Sequence, residues 1–220
     1  MPYNHTNIQI FNLFHQTLHL HPAKVVYWEE ESCLLVADLH VGKAAHFRKA
    51  GIAVPSLVHR ADIEVLAELC HFYSPRRVIF LGDLFHSRFN TDFELVFSLF
   101  ERFSEISWEI VLGNHDVCSE IFFNEKLMVH GEKLLIVPFL FTHQPVGLKE
   151  NAYYNLCGHL HPYFLWTQGS IFRQKFPCFW FSDGVGVLPA FGSFTSGKVY
   201  NYAPTDRLFV VANCKVIAWQ

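Results

Sequence analysis

Three short apolar runs in the first half of the chain end in polar side chains, and two amphipathic segments separate them. The runs are CLLVADLH (33–40), RVIFLGDLFH (77–86) and WEIVLGNHD (108–116), and continuous apolar runs of this length are typical of strands buried on both faces. The intervening segments 56–72 and 91–100 carry apolar residues at helical spacing. Strand, helix, strand, helix, strand with short connections predicts a βαβαβ unit with parallel strands.

The second half of the chain changes character, because strand-like segments follow one another with few helical stripes between them. These segments are LMVH, KLLIVPFLFTH, YNLCGHLHP, CFWFSDG, RLFVVAN and KVIAW. The expected fold class is therefore α/β, a sandwich of two packed β-sheets with helices on their outer faces. We treat residues 1–220 as one domain, in which 1–30 is an added β segment and not a separate unit.

Composition and charge limit the classes of partner. Apolar residues make up 51% of the chain and charged residues 17%, which is typical of a compact globular protein. The net charge of -3 provides no overall basic field for nucleic acid, so DNA binding would need a local patch or a partner protein. The longest apolar run, 134–141, is too short to span a bilayer. We therefore expect no association with a membrane.

The cysteines and the N-terminus predict a cytoplasmic protein. The six cysteines contain no C-x-x-C pair, and four of them fall in apolar elements, where a free thiol behaves as a small apolar group. The sequence begins MPYNHTNIQIF, which lacks the charged start and the apolar stretch of a signal peptide. We expect reduced cysteines and no zinc knuckle.

Residue types that bind metals follow five apolar runs at their C-terminal ends. They are Asp38 and His40; Asp83 and His86; Asn114, His115 and Asp116; His143; and His159 and His161. The carboxyl ends of strands are where α/β sheets bind ligands. Three of these groups directly follow a glycine, which lets backbone approach closely or turn sharply. Each group alone is commonly turn chemistry, but five in order predict a metal site.

The ligand types indicate the chemistry. Carboxylate, imidazole and amide oxygen without thiolate fit hard-to-borderline divalent ions. Two such ions about 3.5–4 Å apart can clamp the attacking and leaving oxygens of a phosphate ester and lower the pKa of water. Because Asp38 and Asp83 are the only anionic ligands, the pair of ions keeps a net positive charge that suits phosphate. Manganese is our first expectation, while iron, zinc and nickel fit the same ligands.

The order of the motifs resembles the signature of the calcineurin-like metallophosphoesterases, which is D-x-H, G-D-x-x-D/N/H, G-N-H-D/E, a lone His and G-H-x-H. Here the motifs span 38–161. The resemblance implies a four-layer α/β sandwich of two mixed sheets flanked by helices, and it implies a role for each matched residue. One metal ion would be bound by Asp38, His40 and His161, the other by Asn114, His143 and His159, with Asp83 bridging the two.

The resemblance also implies the catalytic residues. His115 would contact the phosphate and protonate the leaving oxygen, and Asp116 would orient that imidazole and keep it basic. Asn114 would also adjoin the substrate. His86 stands where related enzymes carry varied residues, so it would lie either behind a metal ligand or facing the substrate.

A narrower resemblance is to the ligase-associated (PdeM-like, ICC-like) branch. It rests on HVGKAAHFRKAGIAVP (40–55), LGDLFHSR (81–88) and LPAFGSFTSG (188–197). That branch is linked to a DNA ligase and a helicase in a proposed repair system. It implies a phosphate-ester substrate, DNA in the first instance, and ligase or helicase partner proteins. Whether the protein forms a homodimer stays open.

The stretch 41–54 follows a metal ligand and is rich in cations. Its candidates for contact with the substrate are Lys43, His46, Arg48 and Lys49, and Arg88 joins them if the flanking strands are neighbours. Such a cluster would hold a phosphate-rich substrate beyond the scissile group. The alternative is a solvated loop. The phenyl rings of 188–197 have two interpretations as well, stacking on a base or packing in the core.

The leading functional hypothesis is a dinuclear-metal phosphodiesterase or endonuclease acting on nucleic acid in DNA repair. The first alternative is a phosphodiesterase or phosphomonoesterase for a small molecule such as a nucleotide. The mildly acidic net charge favours this alternative, whereas the basic stretch and the branch resemblance favour nucleic acid. A metal-free scaffold is a third class, but competent residue types fill every ligand position and position 115.

Overall fold

The structure is a computed structural model, and it describes residues 7–44, 47, 51, 58–86, 92–116, 125–146, 153–169 and 172–219. The first sheet has seven strands in chain order, β1 (Gln9–Leu13), β2 (Gln16–His21), β3 (Val25–Trp28), β4 (Cys33–Val36), β5 (Arg77–Leu81), β6 (Ser107–Val111) and β7 (Leu127–Val129). Helix α1 (Val58–Tyr73) lies between β4 and β5 in the chain, and α2 (Asp92–Arg102) lies between β5 and β6.

Within the described residues, the second sheet contains nine strands. They are β8 (Lys133–Ile136), β9 (Phe139–Thr142), β10 (Tyr154–Cys157), β11 (Pro162–Gln168), β12 (Phe172–Ser182), β13 (Val185–Val187), β14 (Lys198–Val199), β15 (Arg207–Ala212) and β16 (Lys215–Trp219). The spatial order is β14-β11-β12-β13-β10-β9-β8, with β15 paired to β12 and β16 paired to β15.

The predicted βαβαβ unit is confirmed. Strands β4, β5 and β6 are parallel neighbours, and α1 and α2 connect them. The described part of α1 begins at Val58. Residues 56 and 57 of the predicted helix and Thr91 of the predicted capping box lie outside the described residues. Strands β1, β2 and β3 continue the same sheet in antiparallel fashion from β4.

Two apolar cores explain why these strands carry no polar face. In β4, Leu34 and Val36 pack in a core shared with the helices, whereas Cys33 and Leu35 pack in a second core between the sheets. The sandwich of two mixed sheets is therefore confirmed. Within the described residues, no helix packs on the outer face of the second sheet, so a fourth layer stays a prediction.

The apolar run 133–143, predicted as one strand-like segment, forms two strands. Strands β8 and β9 pair in antiparallel fashion with Ile136 opposite Phe139. Pro138, at the turn, has no backbone N–H with which to continue a ladder, so the run folds back there. As a result β9 runs parallel to β10. His143 therefore follows β9 at the same edge where His159 follows β10.

The cysteine and membrane predictions can be compared with the described residues. Cys33, Cys70, Cys157 and Cys178 are buried and free, Cys214 is exposed and free, and Cys118 lies outside the described residues. Burial raises the pKa of the Cys70 thiol to about 12, which keeps it protonated and unreactive. No described helix has both the length and the apolar character needed to cross a bilayer.

Candidate metal centre

The turns after β4 and β5 lie side by side and stay hydrogen-bonded beyond the strands. The N–H of Asp38 donates to the carbonyl of Gly82 at 3.2 Å, and the N–H of His40 donates to the carbonyl of Asp83 at 2.9 Å. Asp38, His40 and Asp83 have φ angles of 54°, 53° and 52°, in the left-handed region that non-glycine residues seldom adopt. Such backbone outliers cluster at functional sites, because the surrounding structure must hold them in place.

The turn after β10 brings two histidines from the second sheet to the same place. His159 and His161 also have positive φ, at 64° and 45°. The N–H of His159 donates to Oδ2 of Asp38 at 2.9 Å, and Nε2 of His161 lies 3.1 Å from the other oxygen, Oδ1. The Asp38 carboxylate therefore joins the ligand turns of both sheets.

The three glycines that precede the motifs leave room for a ligand of a neighbouring motif. A Cβ atom would collide with His143 at Gly82, with Asp83 at Gly113 and with Asp38 at Gly158. Gly82 also has a positive φ of 79°. For the other two glycines close approach alone explains the residue, so the site is packed tightly around its carboxylates.

The ligand atoms converge around the two carboxylates. Oδ1 of Asp38 lies 3.9 Å from Nδ1 of His143, and Oδ2 of Asp83 lies 3.5 Å from Nε2 of the same histidine. Oδ2 of Asp83 also lies 3.7 Å from Nε2 of His40. Two sets have all their ligand atoms within 4.8 Å of one another, Asp38 with His40 and His161, and Asp38 with Asp83 and His143.

The buried atoms of this cluster fit a divalent cation. Nε2 of His40 is buried without a hydrogen-bond partner, and the same holds for Oδ1 of Asp38 and Nε2 of His161, although these two atoms lie 3.1 Å apart. The arrangement is costly unless an ion satisfies it. Burial, reinforced by the charges of Lys43 and His161, lowers the pKa of His40 to about 2. The imidazole is therefore neutral and offers its lone pairs to a metal.

Of the other expected ligands, His159 adjoins His143, and Asn114 is contacted by Gln144, the residue that follows His143. Nδ1 of His143 faces the carbonyl oxygen of Leu81 at 3.0 Å, so this nitrogen carries the proton and Nε2 is left for a metal. Nε2 of His143 is 3.0 Å from Nδ1 of His159. Oδ1 of Asn114 accepts a hydrogen bond from the Gln144 amide at 2.9 Å. The sequence did not point to Gln144, which positions the Asn114 side chain.

Comparison with known proteins agrees with this geometry. The sequence model of the calcineurin-like phosphoesterases matches residues 32–217. The chain belongs to the calcineurin-like phosphoesterases. The crystal structure of Pseudomonas putida nuclease MPE has a TM-score of 0.83 and 28% identity, covering 97% of this chain and 100% of that chain. For YfcE, a phosphoesterase from E. coli, the values are 0.42 and 14%, over 82% and 88%. No curated protein matches the sequence.

As a calcineurin-like phosphoesterase, the protein is a metal-dependent hydrolase of phosphate esters. Divalent ions, when bound, supply Lewis-acid activation of the ester and of water. Among the chain's own groups, the His115 side chain is 47% exposed and its Nε2 lies 4.0 Å from Oδ2 of Asp83. The backbone N–H of His115 donates to Oδ1 of Asp83 at 2.9 Å. The ring thus stands at the rim of the cluster, where it can donate a proton to a departing oxygen.

The hydrogen bonds described for the Asp116 carboxylate are with backbone N–H groups and not with His115, so the expected orienting role stays a prediction. Its carboxylate accepts N–H groups from Asp83 at 2.7 Å, from Gly113 at 2.8 Å and from Phe85 at 2.9 Å. The carboxylate within ion-pair distance of the His115 ring belongs to Asp83. Burial raises the pKa of Asp116 to about 6 even though these N–H groups lower it. Because its oxygens are used by backbone donors, Asp116 braces the ligand turns.

His86 was expected either behind a metal ligand or facing the substrate, and its ring lies beside a residue of each kind. Its ring centroid is 4.4 Å from that of His115 and 5.4 Å from that of the metal-ligand candidate His40. Lys43 is near the same cluster, since its backbone N–H donates to the carbonyl of His40 at 3.2 Å. Burial lowers the pKa of the Lys43 side chain, and the charges of Asp83 and Asp38 raise it. Four further candidates for substrate contact lie outside the described residues, His46, Arg48, Lys49 and Arg88.

Residues 196–200, after β13, position the His161 turn through hydrogen bonds. The sequence did not predict these contacts. The carbonyl oxygen of Ser196 lies 3.1 Å from Nδ1 of His161, and the N–H of Lys198 donates to the His161 carbonyl at 3.1 Å. The Tyr200 hydroxyl donates to the carbonyl of Leu160 at 3.0 Å. This segment includes the last residues of the stretch 188–197. Phe191, in the middle of that stretch, is buried in the core. For that ring, core packing was the correct alternative.

Proposed function

We propose that this calcineurin-like phosphoesterase is a dinuclear-metal nuclease that hydrolyses phosphodiester bonds in DNA. The observation that carries the proposal is the likeness to Pseudomonas putida nuclease MPE, which extends over 97% of this chain and 100% of that chain at 28% identity. Similarity over both whole chains supports a shared reaction. The proposal includes manganese as the metal, a cytoplasmic location and work beside a DNA ligase and a helicase.

A cavity beside the ligands leaves room for a substrate. It has a volume of about 530 Å³, it adjoins the second set of ligands, and Asn114, Lys133, His143 and Gln144 line part of it. The His115 ring at the rim is half exposed. Lys133 provides a cation for a phosphate next to the scissile one, beside Glu132, which lines the same cavity.

The specific alternative is a small-molecule phosphodiesterase or phosphomonoesterase. The net charge of -3 favours it, because the protein as a whole repels a polyanion. The two functions differ in the number of phosphates held. A polymer that makes several phosphate contacts gives a steep dependence of binding on salt, whereas a single phosphate group gives a shallow one.

The test uses the manganese-loaded full chain with three substrates, circular single-stranded DNA, an aryl phosphodiester and the matching aryl phosphomonoester. The circle has no ends, so its conversion to linear strands requires an internal phosphodiester cut. We expect linear products, hydrolysis of the diester in preference to the monoester, and a DNA-cleavage rate that falls steeply with salt. Preference for the monoester with an intact circle would overturn the proposal in favour of a small-molecule phosphatase.

A further inference from the structure

The β11–β12 hairpin extends beyond the edge of the sandwich that carries the metal ligands. Trp180 of β12 is in register with Val187 of β13, which is in register with Cys157 at the end of β10. Because β12 is antiparallel to β13, its lower-numbered residues lie beyond that edge. Strand β11 leaves the ligand His161 in the same direction and pairs with this overhanging part. The hairpin is thus an arm that starts at the metal site.

One face of the arm carries two cations. Lys175 is in register with Leu165, and Arg173 with Thr167, so the four side chains share a face. Phe164 is on the other face, where it contacts Trp219 with 4.6 Å between ring centroids. On β12, alternation places Arg173 and Lys175 on the side of Phe179, which packs in the core between the sheets. The cationic face therefore continues the side of the second sheet that faces the first sheet and its ligand turns.

The two cations are available to an anion. Arg173 and Lys175 are exposed, and within the described residues neither forms an ion pair. The sequence 162–182 contains no Asp or Glu, in a chain whose net charge is -3. The arm is therefore a local basic surface, which a protein of this overall charge needs in order to hold a polyanion.

The distance between the two cations and the ligand turns determines which anion can contact both. At about 3.4 Å per residue, Lys175 lies roughly 17 Å and Arg173 roughly 24 Å beyond the level of Cys157. A mononucleotide held at the metal ligands cannot reach both side chains, whereas a strand can. An isolated two-stranded ribbon is only marginally stable. This arm is stabilised by Trp166, which packs on Phe172 with 5.4 Å between ring centroids.

We propose that Arg173 and Lys175 bind backbone phosphates of a single nucleic-acid strand on one side of the scissile bond. This inference rests on the proposed nuclease activity and names the surface that guides its substrate. The arm contributes to the binding of long substrates and contributes nothing to the bond-breaking step. A substrate that occupies the metal site alone does not sense it.

The test compares the wild type with Arg173→Ala/Lys175→Ala on a single-stranded oligonucleotide and on an aryl phosphodiester. We expect kcat/KM for the oligonucleotide to fall roughly tenfold, mainly through KM. The slope of the logarithm of the binding constant against the logarithm of the salt concentration should become shallower by about 1.4, since each phosphate contact contributes about 0.7 on a single strand. Hydrolysis of the aryl diester stays at the wild-type rate. The matched control is Arg76→Ala/Lys126→Ala, which removes the same charge at the opposite edge of the first sheet. It should leave the hydrolysis of both substrates at the wild-type rate.

The outcomes separate the two proposals. If the wild type hydrolyses the aryl diester but leaves the oligonucleotide intact, the nuclease proposal fails and the arm has no strand to guide. If the wild type cuts the oligonucleotide and the double variant cuts it with the same KM and salt slope, only the arm proposal is overturned. An equal loss on both substrates, or an equal loss in the control variant, also overturns it, because the effect would not be specific to a strand.

Discussion

Oδ2 of Asp116 accepts the backbone N–H of Asp83 at 2.7 Å. The acid that follows His115 in the chain therefore serves the turn that carries the central carboxylate, 33 residues away in sequence. Its other contacts, with the N–H groups of Gly113 and Phe85, tie the second and third motifs together. Asp116 is thus a positioning residue for the ligand turns.

Asp116→Asn should weaken the whole site. An amide cannot accept all of these N–H groups, since its NH₂ group is itself a donor, and one unsatisfied buried donor costs about 2 kcal/mol of unfolding free energy. We expect lower manganese affinity and an equal fractional loss of activity on aryl and alkyl phosphodiesters. Denaturant unfolding measures the loss of unfolding free energy, equilibrium dialysis measures the manganese affinity, and initial rates on the two diesters measure the loss of activity. A loss confined to alkyl leaving groups, with normal manganese binding, would return Asp116 to the role of orienting His115.

His115→Ala should discriminate between leaving groups. A general acid matters most when the departing oxygen is strongly basic, as in the sugar alkoxide of DNA, and least for a nitrophenolate that leaves without a proton. We expect a loss of about 10²- to 10⁴-fold in kcat on DNA and a much smaller loss on a nitrophenyl diester. Equal losses on the two substrates would show that His115 acts on binding or on metal retention.

Gly158→Ala should damage metal binding through space alone. Its Cβ would meet the Asp38 carboxylate and the Cβ of Ala37, and its φ is not in the left-handed region. We expect loss of one or both ions, measured by equilibrium dialysis. Gly131→Ala is the matched control, since it has open space around it but a positive φ of 65°. It should cost about 1 kcal/mol of stability and leave metal content unchanged. Normal metal content in Gly158→Ala would contradict the packing argument.

The Glu109 cluster predicts how stability depends on pH. Burial would raise the pKa of Glu109, but hydrogen bonds from Arg77 and His130 hold it below its ordinary value of 4.5. A carboxyl with a lowered folded pKa stabilises the protein above its unfolded pKa, and this contribution disappears as pH falls through the folded pKa. Glu109→Gln should therefore cost about 3 kcal/mol at neutral pH and flatten the acid side of the stability profile.

Glu101→Gln is the control for that experiment. Glu101 is 68% exposed and 4.0 Å from Lys126, so its replacement should change the unfolding free energy by less than about 0.5 kcal/mol at any pH. Denaturant unfolding between acid and neutral pH gives both profiles. An unchanged acid limb in Glu109→Gln would show that other carboxyls control it.

The strands and their polar ends were predictable for a local reason. Strand β4 is buried on both faces, so its sequence is continuously apolar, and Asp38 follows it at the edge where parallel strands present ligands. The contacts that support the ligands were not predictable, because they join residues far apart in sequence. Asp116 and Phe85 are 31 residues apart, and Ser196 and His161 are 35 apart.

Two other differences have physical explanations. The run 134–141 is apolar throughout, and apolar character alone cannot distinguish one buried strand from a hairpin. Pro138 was the available signal. The sequence does not predict the β11–β12 arm, because a projecting ribbon has the same alternating pattern as a strand in a sheet. Its overhang follows only from the register of β12 with β13.

We expect two divalent ions to share the carboxylates at the strand ends, and the metal content of the purified chain tests this expectation. The chain is stripped with a chelator, dialysed against manganese and analysed for manganese per mole of protein, alongside Asp83→Ala. We predict two ions per wild-type chain and at most one in the variant, because Oδ2 of Asp83 lies 3.7 Å from His40 and 3.5 Å from His143. One ion or none in the wild type would contradict a dinuclear site. Two ions retained in Asp83→Ala would contradict a bridging role for Asp83.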